Sequence, residues 1–238
     1  QIECNTVASS FAGLATKVAT LHRHLVARFP DETTDGEDGL LRRSQRRWNL
    51  SPHKENDTGV PANTALTSLA AAMALTHERY VTRHDLPSAG AGIVFITQDG
   101  ETNTVDQRLL EFELWEVYGI SVTRMTLTES LDELVLDDVG GNALRFRAPR
   151  GGEVSLVYYR AGYAPSDYPG ENAWTARDVL ERGRCAKCPD LGYHLAGTKK
   201  VQQVLARRGV LERWMSAEEC GMLREVFAGL YSLTEGEA

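Results

Sequence analysis

GIVFITQDGETNTVDQRLLEFELWEVYGISVTRM, residues 92–125, is the stretch that sets the fold. It opens with Gly92 to Thr97, a continuous apolar run rich in β-branched side chains, the composition of a strand buried on both faces of a parallel sheet. A polar loop follows from Gln98 to Thr104. Leu109, Leu110, Phe112, Leu114 and Val117 then recur at helical spacing, which predicts a helix over 105–118. Gly119 stops it, because glycine takes a left-handed φ without steric cost, and Ile120 to Met125 reads as a second strand. Strand, helix and strand make a βαβ unit. The chain is therefore expected to be α/β with a parallel sheet, and the loop at the carboxyl end of its first strand is the usual ligand edge. Gly90 and Gly92 precede that strand instead of following it, so they make no dinucleotide fingerprint.

Downstream, Ser130 to Val135 looks helical, and Gly140-Gly141-Asn142 reads as the turn of a hairpin. Glu153 to Arg160 (EVSLVYYR) is a further strand that ends at a carboxyl edge on Arg160 and, past Gly162, Tyr163. An arginine there pairs bidentately with a carboxylate, and a tyrosine offers a hydroxyl on an apolar ring; a surface salt bridge and a packed ring meet the same pattern. A helix over 173–182 is expected to cover the sheet. Val201, Val204 and Leu205 mark one helix face, with Thr198, Lys199 and Lys200 at its amino end. The backbone dipole disfavours cations there, so the lysines imply either a solvated start or a nearby phosphate. Ala217 to Tyr231 carries Leu223, Val226, Phe227 and Leu230 at helical spacing, read as core.

Upstream, Gln1 to Thr6 alternates like a half-buried strand, which sets Glu3 and Asn5 on one face. A carboxylate and an amide oxygen placed so are donors that Mg²⁺ accepts; a solvated polar face looks the same. Ala8, Ser9 and Ser10 lead through a small-residue turn, with a serine able to cap it, into a helix over 14–27. Residues 30–60 have no steady apolar period and read as a loop or disordered insertion; the RRSQRR run within them reads as solvated or as touching an anionic partner. Alanines and leucines with Met73 predict a helix over 65–81.

The totals narrow the function classes. The chain has 238 residues, 42% of them hydrophobic and 25% charged, as in a folded protein with a sizeable core. A net charge of −7 argues against a general nucleic-acid binder. No apolar run approaches the roughly 18 residues of a membrane span. Four cysteines fit a reducing compartment, with the cytoplasm as the default. The first residue is Gln1, and the chain reads as a fragment or a processed piece. Cys185 and Cys188 form a lone CxxC. Structural zinc wants four ligands, and Pro189 directly after the pair spoils a thioredoxin-like motif, so both are read as packing thiols. No P-loop and no nucleophilic triad is present by spacing.

QIECNTVASSFAGLATKVATLHRHL at 1–25, VDQR at 105–108, YYRAGY at 158–163 and above all KCPDLGYHLAGTKKVQQVLAR at 187–207 closely resemble the eukaryotic glutathione synthetase family. That resemblance runs to about Ser232, weakest over 30–60, and covers the middle of a family chain. It implies a parallel-sheet, three-layer substrate-binding domain, 86–190, inserted in part of an ATP-grasp core: strand and helices in 1–85, a helical return in 191–238. It also implies an ATP- and Mg²⁺-dependent ligase joining γ-glutamylcysteine and glycine through an acyl phosphate, as a cytoplasmic homodimer. By the same resemblance Glu3 and Asn5 match magnesium and ATP-side positions, and Lys199 a lysine on the ATP phosphates. Ser9, Ser10, Glu101, Thr102, Asn103, Gln107, Arg160 and Tyr163 match the γ-glutamylcysteine positions. Ala8 stands where the family has serine, Ala161 where aspartate is common, and Thr102 where a basic residue is frequent. The family's glycine-rich phosphate loop would lie beyond Ala238 and a substrate-binding arginine before Gln1, so the chain alone is expected to be inactive. A binding module or truncated homologue using the α/β domain for interaction is the alternative.

Overall fold

The computed structural model describes residues 5–28 and 60–229. The expected strand at 1–6 falls mostly outside them, as do Glu3 and nearly all of the 30–60 insertion; Asn5 and Thr6 are not in a strand. The chain forms two compact units, one of residues 1–9, 76–101 and 122–238, the other of 10–75 and 102–121.

The first unit is built on a sheet. Strands β1 (Ala91–Ile96), β2 (Val122–Met125) and β5 (Glu153–Tyr159) run parallel in the order β2-β1-β5, and β6 (Ala186–Cys188) pairs parallel with the far side of β5. Strands β3 (Leu134–Asp137) and β4 (Ala143–Phe146) form the expected antiparallel hairpin, joined to β5 through Arg145 and Glu153. Every residue of β1 and β5 is buried, as in strands covered on both faces; β1 is apolar throughout, whereas β5 also buries Glu153 and Ser155. Between β1 and β5 the register steps from Gly92–Val154 to Ile93–Leu156, leaving Ser155 as the extra residue of a bulge. Its hydroxyl donates to the Gly92 carbonyl at 3.0 Å and meets Nδ1 of the buried His77 at 2.8 Å, so the broken ladder is satisfied locally. Because the bulge shifts the alternation, Val154, Val157 and Tyr159 all join one core with Val94, Ile96, Leu134 and Leu144. Ala173, Ala176 and Leu180 of helix α5 (Glu171–Arg182) complete that core, so this helix covers the sheet as expected.

The second unit packs helix α1 (Ala12–Arg28) on helix α3 (Thr104–Tyr118), the helix of the βαβ connection. Gly119 ends α3 at φ 67°, the left-handed cap that the sequence indicates. Helix α2 (Ala65–Arg83) passes from this unit into the first.

Three expectations change. The helix at 130–135 is shorter: α4 (Glu129–Glu133) stops because Leu134 enters β3 opposite Phe146. Residues 186–188, for which no element is expected, form β6, whose stability comes from pairing with β5 and not from any local apolar pattern. The last helix, α8 (Ala217–Val226), starts at a Ser216–Glu219 capping box and ends before Phe227, while Leu230 and Tyr231 lie outside the described residues. Its expected core stripe is only partly buried: Leu223 and Phe227 are half-buried, Val226 is 50% exposed, and Cys220 is the buried residue of the helix.

Candidate functional site: the carboxyl edge between two strands

In the first unit β1 is followed by β2 on one side, and β5, on the other side of β1, is followed by β6 still farther out. The strand order therefore reverses between β1 and β5, and the crevice outside their carboxyl ends is where open parallel sheets take ligands. Residues 97–101 leave β1 there and residues 160–167 leave β5. Thr97 N–H donates to the Met125 carbonyl at 2.9 Å, and Arg160 N–H to the Ile96 carbonyl at 2.7 Å, so pairing persists to the strand ends and holds both exits rigidly.

Arg160 is 6% exposed, which removes the surface salt bridge as an account of it; its guanidinium lies 6.0 Å from the Tyr158 ring centroid. Tyr163 is half exposed, and its hydroxyl accepts from Gln98 Nε2 at 3.0 Å. The loop between these residues is tightly made. Gly162 has φ 91°, and a Cβ there would meet the Tyr168 hydroxyl at 3.0 Å and Arg177 Nη1 at 3.2 Å, so position 162 of YYRAGY has to be glycine. Asp167 Oδ2 accepts from the backbone N–H groups of Gly162, Tyr163 and Ala164 at 2.9, 3.1 and 3.2 Å. Behind the loop Arg177 lies 4.1 Å from the Tyr159 ring centroid. Burial and the neighbouring positive charge of Arg177 hold His194 below the usual imidazole range. A cleft of about 430 Å³ opens at this edge, lined by Thr97, Gln98, Thr126, Thr128, Ser166 and Asp167 among others. Glu101, partly buried, stands at the end of the β1 loop.

Three more expected residues, Asn5, Ser9 and Lys199, lie in the same unit. The Thr6 hydroxyl donates to the His194 carbonyl at 3.4 Å, tying the segment of Asn5 to helix α6 (Leu191–Ala196). Lys199 begins α7 (Lys199–Ala206) three residues later; Thr198 caps that helix by accepting from Val201 N–H. Ser9 is exposed, its backbone carbonyl accepting from the Tyr158 hydroxyl.

The second unit holds Ser10, Thr102, Asn103 and Gln107. Thr102 is exposed, Asn103 is the N-cap of α3, and Gln107 is fully buried in that helix. The helix start after Ser10 is capped differently from expectation. No serine caps it: Asp106 does, with Oδ2 accepting from Phe11 N–H at 2.8 Å and Oδ1 from Leu14 N–H at 3.1 Å. Both bonds place a carboxylate at the positive end of α1. Gly13 permits the approach, since a Cβ there would lie 2.8 Å from Leu109 Cβ. Asp106→Ala is expected to destabilise the second unit by about 1–2 kcal/mol and to speed amide exchange at Phe11 and Leu14; unchanged exchange at both would show that the carboxylate does not hold this turn.

Cys185 and Cys188 are free thiols. Burial pushes Cys185 up to about 11 and Cys188 upward as well, leaving little thiolate, which agrees with their reading as packing residues. Reading from residue types missed Gln98, Asp106 and Asp167. Asp167 had a signal, a Pro-Ser-Asp turn in which a carboxylate caps nearby backbone; Gln98 had none.

Residues 91–196 match the family model described as eukaryotic glutathione synthase. Over its whole length the chain is 37% identical to the chloroplastic glutathione synthetase of Solanum lycopersicum and to the glutathione synthetase of Homo sapiens, covering 38% and 43% of those proteins. With the glutathione synthetase of Dictyostelium discoideum it shares 35% identity over 99% of its length, covering 44% of that protein. The chain thus spans well under half the length of these relatives. Its fold is similar to that of a glutathione synthetase-like effector from Globodera pallida solved in its apo form, with a TM-score of 0.65, 20% identity and coverage of 95% of this chain and 44% of that one. No helix among the described residues is long and apolar enough to cross a membrane.

Proposed function

We propose that the protein to which this chain belongs, residues 91–196 of which match the eukaryotic glutathione synthase family model, joins γ-glutamylcysteine to glycine with ATP. ATP passes its γ-phosphoryl group to the γ-glutamylcysteine carboxylate that is to be joined, giving an acyl phosphate and ADP. The amine of glycine attacks the acyl carbon, phosphate leaves with the bonding pair, and the amine loses a proton. Residues 86–190 are the inserted substrate-binding domain in this reading, with 1–85 and 191–238 contributing to an ATP-grasp core of a cytoplasmic homodimer.

The observation that carries the proposal is the edge between β1 and β5, where the strand order of this chain reverses and where Arg160 and Tyr163 emerge beside the Gln98 to Glu101 loop. Arg160, desolvated and planar, suits a substrate carboxylate. Tyr163, Glu101 and Ser9 are further γ-glutamylcysteine contacts in this reading, and Ser10, Thr102, Asn103 and Gln107 are proposed as contacts on their matching sequence positions alone. Lys199 meets the ATP phosphates, and Asn5 with Glu3 serves the magnesium and ATP side. Mg²⁺, when bound, would offset charge during phosphoryl transfer. The described residues alone do not make its site: they hold no cluster of three His, Cys, Asp or Glu placed for a metal, and Asn5 brings one neutral oxygen.

Phosphate release by the full-length protein tests the proposal. Release is expected to require ATP, γ-glutamylcysteine and glycine together, whereas ATP turnover indifferent to γ-glutamylcysteine would refute it.

A further inference from the structure

The hydroxyl of Tyr163 has its polarity set by a neighbour outside the proposed contacts. Gln98 Nε2 donates to Tyr163 Oη at 3.0 Å and to Asp167 Oδ1 at 3.0 Å. A carboxylate accepts and does not donate, so the amide nitrogen is the end that faces Asp167, and each of its two protons serves one partner. Asp167 cannot swing away, because its other oxygen is held by three consecutive backbone N–H groups. Tyr163 Oη therefore accepts a hydrogen bond from Gln98, and its own proton is directed elsewhere, from a ring that is half exposed. Gln98 comes from the end of β1 and Asp167 from the loop after β5, so this clamp spans the crevice between the two strands.

We infer that Gln98 is a positioning residue that holds the Tyr163 hydroxyl as a hydrogen-bond donor, so that the ligand group received there is an acceptor, a carboxylate or carbonyl oxygen, and not an ammonium. The inference rests on the proposed contact between Tyr163 and substrate. It adds a specificity rule to that contact: a substrate analogue with a donor at the same place meets a proton facing a proton.

Calorimetry of γ-glutamylcysteine binding to the full-length protein tests this with Tyr163→Phe, Gln98→Leu, both together, and Gln98→Glu. The two single variants are each expected to weaken binding by about five- to tenfold, the value of one hydrogen bond. The double variant is expected to bind within about twofold of Tyr163→Phe, because Gln98 acts through the hydroxyl and two effects on one contact do not add. Gln98→Glu puts an acceptor beside Asp167, and such a carboxylate pair holds a proton to unusually high pH. Its affinity relative to wild type is therefore expected to be poorest near about pH 7.5 and to recover towards about pH 5, a profile that lost packing does not produce. If Tyr163→Phe binds like wild type, Tyr163 is no contact, and both the contact and the inference fail. If Tyr163→Phe weakens binding but Gln98→Leu does not, or the two losses simply multiply, the role of Gln98 alone is overturned.

Discussion

Arg160→Ala is expected to weaken γ-glutamylcysteine binding by about a hundredfold or more, the loss typical of truncating one partner of a desolvated, hydrogen-bonded charge pair. Arg160 is only 6% exposed and is carried on the last residue before the loop, one position past β5, with its own N–H bonded to β1. A guanidinium carries two parallel donors that match a carboxylate, and burial of this side chain limits the freedom lost when one arrives. Arg160→Lys separates charge from geometry. Lysine keeps the positive charge but not the fork, and is expected to recover only part of the affinity. Because the side chain is buried, its removal leaves a gap as well, and thermal melting of each variant reports that cost separately from binding. Calorimetry of both variants in the full-length protein is the measurement; Arg160→Ala binding within about threefold of wild type would take the arginine out of the substrate edge.

How far this edge was readable from sequence depended on the range of the interaction involved. The apolar run at 92–97, the helix to Gly119 and the strand ending at Arg160 are local patterns, and β1, α3 and β5 follow them closely. Placement of Arg160 and Tyr163 at a carboxyl edge came from the same patterns. The Gln98–Tyr163 bond did not, since it joins residues 65 positions apart and depends on β1 and β5 being neighbours, a pairing that no periodicity encodes. Asp106 was overlooked for a related reason: it caps a helix 92 residues upstream, whereas caps are sought within a few residues of the helix they serve. Strand β6 is too short to show alternation, and Ser155 looks like one more strand residue until the register step exposes it as a bulge.

Glu153→Gln is expected to lower stability by about 2–3 kcal/mol, somewhat less than the 3–5 typical of breaking a wholly buried ion pair, because its two arginines reach solvent. Glu153 opens β5 and is 2% exposed. Its carboxylate accepts from Arg184 Nη2 at 2.8 and 3.1 Å and from the Tyr80 hydroxyl at 2.7 Å, and pairs with Arg145 Nη2 at 2.9 Å. Burial alone would raise its pKa, but the bonds from Arg184 and Tyr80 outweigh that and hold it below the usual carboxylate range. The sign of the pH dependence follows. A carboxyl group with a depressed folded-state pKa stabilises above its ordinary value, near 4.5, and that stability is lost as pH falls through the lower folded value. Glu153→Gln should therefore flatten the acid limb of the stability curve as well as lower the plateau. Tyr80, pushed up to about 12 by burial and by Glu153, adds the mirror effect, contributing below its ordinary 10 and fading as pH rises towards 12. Denaturant unfolding from about pH 3 to pH 7 checks the acid prediction; parallel curves for wild type and Glu153→Gln would mean that the cluster is too well solvated to matter. The cluster sits at the amino end of the strand whose carboxyl end delivers Arg160, about 23 Å away at 3.3 Å per residue. A folded Glu153→Gln protein should thus melt earlier while binding γ-glutamylcysteine as before, which Arg160→Ala should not.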